Sequence, residues 1–162
     1  MRSLLTLVLT LLAIPAVAAD RSPADDIVGQ WRGTSKCVDL TNYPNCKDEL
    51  VVYDVARTSS PSQVTMKADK VVDEKRLFMG EFTFTFEAGT GTWASDLQNE
   101  RVHMRWRFKV SGDEMSGTLT DLRAADRLVR RVSVRRTRGY PSTSAKLTLT
   151  RREHPASSIV TP

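Results

Sequence analysis

The chain has 162 residues, 40% of them hydrophobic and 27% charged, with a formal net charge of +5. That length suits one domain large enough to bury its own core. Beyond Ile14 no apolar run is long enough to cross a bilayer as a helix, so a membrane span is excluded.

Residues 1–19 carry one early positive charge, Arg2, then an apolar stretch over 4–14 and a small-residue end, Ala16-Val17-Ala18-Ala19. This order is that of a cleavable signal peptide, so the expected product is exported to the periplasm or the extracellular space. No cysteine sits at the junction to take a lipid. The expected organisation is a signal over 1–19, a single domain over 20–153 and a flexible tail over 154–162.

The remaining chain alternates apolar and polar residues with period two, and no segment carries a clear helical period. Residues 27–36 place Ile27, Gly29, Trp31 and Gly33 on one face. Cys37 and Cys46 then flank a polar, turn-rich stretch. In an oxidising compartment they are expected to form a disulfide, worth about 2–3 kcal/mol in a chain-entropy account. A metal site with Asp39, Asp48 or His103 is the alternative, but two cysteines without nearby histidines are poor zinc spacing, so no metal is expected.

Residues 49–57 align Val51, Tyr53 and Val55, and after Ser59-Ser60-Pro61-Ser62 residues 63–71 align Val64, Met66 and Ala68. Residues 77–87 give the cleanest alternation, with Phe82, Phe84 and Phe86 opposite Glu81, Thr83, Thr85 and Glu87. A Gly89-Thr90-Gly91 turn leads into a short strand bearing Trp93. Residues 101–109 put Val102, Met104, Trp106 and Phe108 inward and Arg101, His103, Arg105, Arg107 and Lys109 outward. Ser111-Gly112-Asp113 is a hairpin turn. Met115, Gly117 and Leu119 form the next inward set, followed by Leu128, Val132 and Val134. A last candidate strand over 145–152 aligns Leu147, Leu149 and Arg151.

About eight or nine short antiparallel strands joined by tight turns imply an all-β protein. An up-and-down barrel is favoured over a sandwich because closure removes exposed edges. Gly29-x-Trp31 on the first strand, with a basic residue on the last, resembles the lipocalin and wider calycin pattern. The resemblance implies a tryptophan at the closed end of the barrel with a late-strand cation across its ring. Arg151, in phase with Leu147 and Leu149, is the expected partner, and Arg136 is the reserve.

No nucleophile elbow, phosphate loop or metalloprotease helix is present. His103 lacks an identifiable nucleophile or orienting carboxylate, and His154 lies in the tail, so no enzyme and no cofactor are expected. The expected ligand-binding interior is Trp31, Met66, Phe82, Phe84, Phe86, Trp93, Met104, Trp106 and Phe108, enclosing a small apolar or amphipathic molecule. A merely filled core is the competing reading of the same residues.

Acidic residues dominate the first half of the chain and arginines the second. The outward row of Arg101, His103, Arg105, Arg107 and Lys109 could meet an anionic envelope component or a protein partner, such as a secreted hydrolase that the chain would inhibit. Cross-strand pairing with Glu81 and Glu87 would account for the row without a partner. The row has no outward aromatics for base stacking, and an exported protein has little access to nucleic acid, so none is expected. The expected state is a monomer.

Overall fold

One-sided alternation requires a single shared interior, and the chain supplies it by closing a sheet on itself. The computed structural model describes residues 21–137. It comprises helix α1 (Pro23–Ile27) and strands β1 (Gly29–Cys37), β2 (Glu49–Arg57), β3 (Gln63–Val72), β4 (Lys75–Glu87), β5 (Thr92–Gln98), β6 (His103–Ser111), β7 (Glu114–Asp121) and β8 (Arg127–Arg136). Each strand pairs antiparallel with the next, and β1 pairs with β8, so the eight-stranded barrel is up-and-down and closed. Gly33 is required at the seam: a Cβ there would lie 2.1 Å from the Ser133 carbonyl oxygen of β8.

The two ends of the barrel differ. At one, α1 and the β2–β3, β4–β5 and β6–β7 turns gather, and Ile27, Trp31, Val64, Trp93 and Met115 are buried beside them. At the other stand the loop between β1 and β2 and the β3–β4, β5–β6 and β7–β8 connections. The Cys37–Cys46 disulfide expected from the sequence closes the β1–β2 loop. Tyr43 of that loop donates its hydroxyl to Asp121 at 2.7 Å, fastening the loop to the end of β7.

Four boundaries depart from the alternation pattern. Ile27 belongs to α1 and not to the first strand. Ser22 caps this five-residue helix by accepting from the Ala24 N–H, and Pro23 at its first position loses no helical hydrogen bond. Arg101 precedes β6, because Asn99 Oδ1 accepts from the backbone N–H groups of Arg101 and Val102 and holds a loop there. In β8 a bulge opposite Leu119 and Thr120 shifts the phase, so Val129 is buried while Leu128 is half-buried. A second bulge, between the pairs Ala68–Gly80 and Asp69–Phe78, inserts Met79 into β4. The 1–19 segment, the 145–152 candidate strand with Arg151, and the 154–162 tail lie outside the described residues.

Candidate functional site

The plugged end is built around Trp31. Its indole is fully buried, and Nε1 donates to the Ile27 carbonyl at 2.8 Å, which ties the first strand to α1. Arg136 lies directly opposite Trp31 in the β1–β8 register. Its guanidinium carbon sits 4.3 Å from the indole centroid, and its Nη groups donate to the carbonyls of Val28 and Asp26 at 2.5 Å. Gly29 makes room for this arm: its φ is +132°, and a Cβ there would lie 2.8 Å from Arg136 Nη1. Among the described residues the cation over the tryptophan is that of Arg136, the reserve candidate; Arg151 lies outside the described residues.

Above this plug the barrel encloses a cavity of about 300 Å³. Six of the expected interior residues, Met66, Phe82, Phe84, Met104, Trp106 and Phe108, line it. The other three do not. Trp31 and Trp93 are spent in the plug, and Phe86 packs on Trp93 with ring centroids 5.2 Å apart. Aromatic contacts order the wall: Phe108 meets Phe84 edge-on at 5.4 Å and Tyr53 at 5.8 Å, and stacks on Trp106 at 5.7 Å. The interior is therefore partly filled and partly open.

Alternation did not single out the polar pole of this cavity. Ser35, Glu49 and Arg130 all face inward near the open end. Arg130 Nε donates to Ser35 Oγ at 2.8 Å, and its Nη2 donates to Glu49 Oε2 at 2.8 Å and to the Lys47 carbonyl at 2.7 Å. The pair is charge-matched and three-quarters or more withdrawn from solvent, with side-chain exposures of 14% and 23%. Tyr53 completes the pole. Burial drives its phenol pKa above the ordinary range, with Arg130 opposing and Glu49 reinforcing that shift. A readable signal did exist, since Arg130 shares the phase of Val132 and Val134.

An imperfect seam lies beside the cavity. β4 and β5 pair only at Thr85–Ala94, Phe86–Trp93 and Glu87–Thr92, beside the plugged end. Further up, β4 stays bonded to β3 and β5 to β6, but not to each other. Met79 and Leu97 line the cavity and are 39% and 42% exposed, whereas Phe78, 63% exposed, lies outside the lining with Lys67 Nζ 5.6 Å from its ring centroid.

The outward row expected on residues 101–109 is divided. Arg101 is in the loop before β6. Arg105 forms a two-pronged pair with Asp96, at 2.5 and 2.6 Å, and that bond is the main cause holding the Asp96 carboxyl below its usual range. Arg107 lies 3.5 Å from Glu87. His103 is half-buried opposite Gln98, and Lys109 is exposed. Among the described residues no group of three or more His, Cys, Asp or Glu side chains converges to hold a metal ion. Nor is any described helix long and apolar enough to cross a membrane.

A closed eight-stranded up-and-down barrel, with Gly-x-Trp at a plugged end under an arginine from the last described strand, is a lipocalin-like calycin fold. No protein-family profile matches the sequence, and no curated protein does. Among solved structures the chain is similar to fatty-acid-binding protein 1 of Echinococcus granulosus, at 10% identity and a TM-score of 0.48, over 70% of this chain and 98% of that one. It is also similar to the siderocalin Ex-FABP, at 12% identity and a TM-score of 0.48, over 73% of this chain and 78% of that one.

Proposed function

We propose that the protein is an exported, noncatalytic carrier that holds a small amphipathic molecule inside the barrel. The observation that carries this reading is the cavity itself, apolar over most of its wall and polar at one pole, with exposed apolar lips beside the seam. At about 300 Å³ it stands at the small end of the ~300–1,000 Å³ range of ligand sites. It suits a compact ligand, or one segment of a longer chain whose remainder leaves through the seam.

Covering roughly 150 Å² of ligand apolar surface at ~25 cal/mol per Å² contributes about 4 kcal/mol, a millimolar affinity on its own. Tighter binding requires hydrogen bonds at Ser35, Tyr53, Glu49 and Arg130. Because Glu49 already matches the Arg130 charge, the pole favours a neutral or dipolar head group over a bare anion. The signal-like order of residues 1–19 and the Cys37–Cys46 disulfide support an extracytoplasmic setting. A protein-binding module acting through the row on 101–109 is the weaker reading, since Arg105 and Arg107 are engaged by Asp96 and Glu87.

The test is native mass spectrometry of protein purified from its own cells, joined to titration of Trp106 fluorescence with short-chain amphiphiles. A nonpeptide adduct lost on denaturation, and saturable quenching, are the expected results. Leu119→Trp, which fills the cavity from a half-buried wall position, should weaken binding by about tenfold or more (~1.4 kcal/mol) with the melting temperature preserved. A clean apo mass together with no saturable response across the series would defeat the carrier reading.

A further inference from the structure

The outer wall over β6, β7, β8 and β1 carries a feature unrelated to the interior. A shallow groove of about 760 Å³ runs across these strands, and the charged side chains lining it are Lys36, Arg107, Lys109 and Arg131, with no carboxylate. Strand register arranges the groove in two rows. One row reads Lys36, Arg131, Thr118, Arg107 from β1 to β6, each directly opposite the next. The row below reads Thr34, Ser133, Ser116, Lys109 in the same strand order. Cations and hydroxyl donors are thereby laid side by side on one surface.

This arrangement costs stability in the free protein. Lys36 and Arg131 are like charges directly opposite each other, a destabilising cross-strand pair. Among the described residues neither they nor Lys109 has a carboxylate within salt-bridge distance. Several arginines elsewhere on the barrel, Arg105, Arg127, Arg130 and Arg135, do have an acidic partner. An anion lying along the rows would relieve the repulsion and receive the hydroxyl donors as well.

We propose that this groove binds a linear, soluble polyanion carrying phosphate groups. Neighbouring strands are ~4.8 Å apart, so Lys36 to Arg107 spans roughly 14 Å across three strand spacings, room for successive phosphates. Arginine and lysine with hydroxyl donors suit tetrahedral oxyanions, which offer several acceptors per charge. A bilayer is the less suitable partner because membrane-surface sites add apolar side chains that insert. The exposed large apolar residues, Val38, Leu40, Leu50, Val72, Leu77, Phe78, Met79 and Leu97, all lie outside this groove.

The experiment is calorimetric titration of the full-length protein with inorganic polyphosphate at several salt concentrations. Saturable binding is expected, with a log–log salt slope of about −2.5 if Lys36, Lys109 and Arg131 displace counterions while Arg107 stays paired with Glu87. The double variant Lys36→Ala, Arg131→Ala should lose about tenfold or more in affinity, whereas Lys47→Ala, Arg101→Ala, which removes the same charge from other exposed positions, should lose less than about twofold. All four residues are exposed, so both variants should melt like the parent protein. Equal losses in the two variants, or no binding at low salt, would overturn the site. Polyglutamate binding as tightly as polyphosphate would overturn the assignment to phosphate. Preferential binding to phosphatidylglycerol vesicles, dependent on the same residues, would overturn the soluble polyanion in favour of a membrane surface.

Discussion

Gly29, Trp31 and Arg136 are packed against one another, so a change at one is felt at the others. The indole needs a flat cation above it, the guanidinium needs the carbonyls of Val28 and Asp26, and its path crosses the place where a side chain at position 29 would stand. Gly29→Ala places a Cβ at φ +132°, a conformation worth about 1–3 kcal/mol of strain, and presses it against Arg136. Urea denaturation should show a loss of that size. In the background of Arg136→Ala the loss should shrink, since only the backbone strain would remain. Equal losses in both backgrounds would separate Gly29 from the arginine. The residue pattern exposed the tryptophan and glycine at once. It could not choose between Arg136 and Arg151, because both alternate in phase with apolar neighbours, and only the pairing of β8 with β1 brings one of them opposite Trp31.

Among the secondary-structure elements, β4 and β5 are the pair whose bonding is least complete. Their ladder stops at Thr85 and Ala94, and above it Met79, Phe82, Leu97 and Met104 separate the cavity from solvent. If ligand passes this seam, joining Glu81→Cys to Gln98→Cys with a short thiol cross-linker should slow the exchange of a fluorescent amphiphile about tenfold or more and leave the equilibrium affinity within about twofold. Unchanged exchange would place the route at the open end, beneath the disulfide-closed loop. Alternation located β4 and β5 well, but a strand's own sequence records which side chains point inward and says nothing of how far its ladder extends. Helix α1 escaped notice for a similar reason: five residues are too few to show a 3.6-residue period, and its signals are the Ser22 cap and Pro23.

Across the whole barrel, the acidic first half and basic second half meet because closure brings β8 beside β1 and close to β2. Arg130 reaches Glu49, and Arg127 lies 3.8 Å from Asp39. Arg76 is shared between Asp54 and Asp69 on the outside of β2 and β3. These contacts make stability depend on acid. Hydrogen bonding by Arg105 lowers the Asp96 pKa below 3.8; for Asp54, burial raises it, but bonds from Arg76 and Gln30 more than offset that and leave it below 3.8. A carboxyl whose folded pKa lies below its unfolded one stabilises above the unfolded value, and that contribution disappears as pH falls through the folded value. Melting temperature should therefore be steady near neutrality and fall below about pH 4, and Asp54→Asn with Asp96→Asn should flatten that fall. An unaltered acid limb in the double variant would assign the loss to other carboxylates.

Much of the architecture was legible because alternation is a local property. Whether residues 82, 84 and 86 share a face depends only on their own spacing, and burying eight such faces together leaves a closed barrel as the economical solution. The cysteine pair was equally local. Register, by contrast, joins residues far apart in the chain. Arg130 meets Glu49 and Ser35 across separations of 81 and 95 residues, and Arg136 meets Val28 across 108. The polar pole of the cavity, the identity of the cation over Trp31 and the carboxylate-free groove are all products of such pairings. No single segment contains them, because each exists only once strands distant in sequence lie side by side.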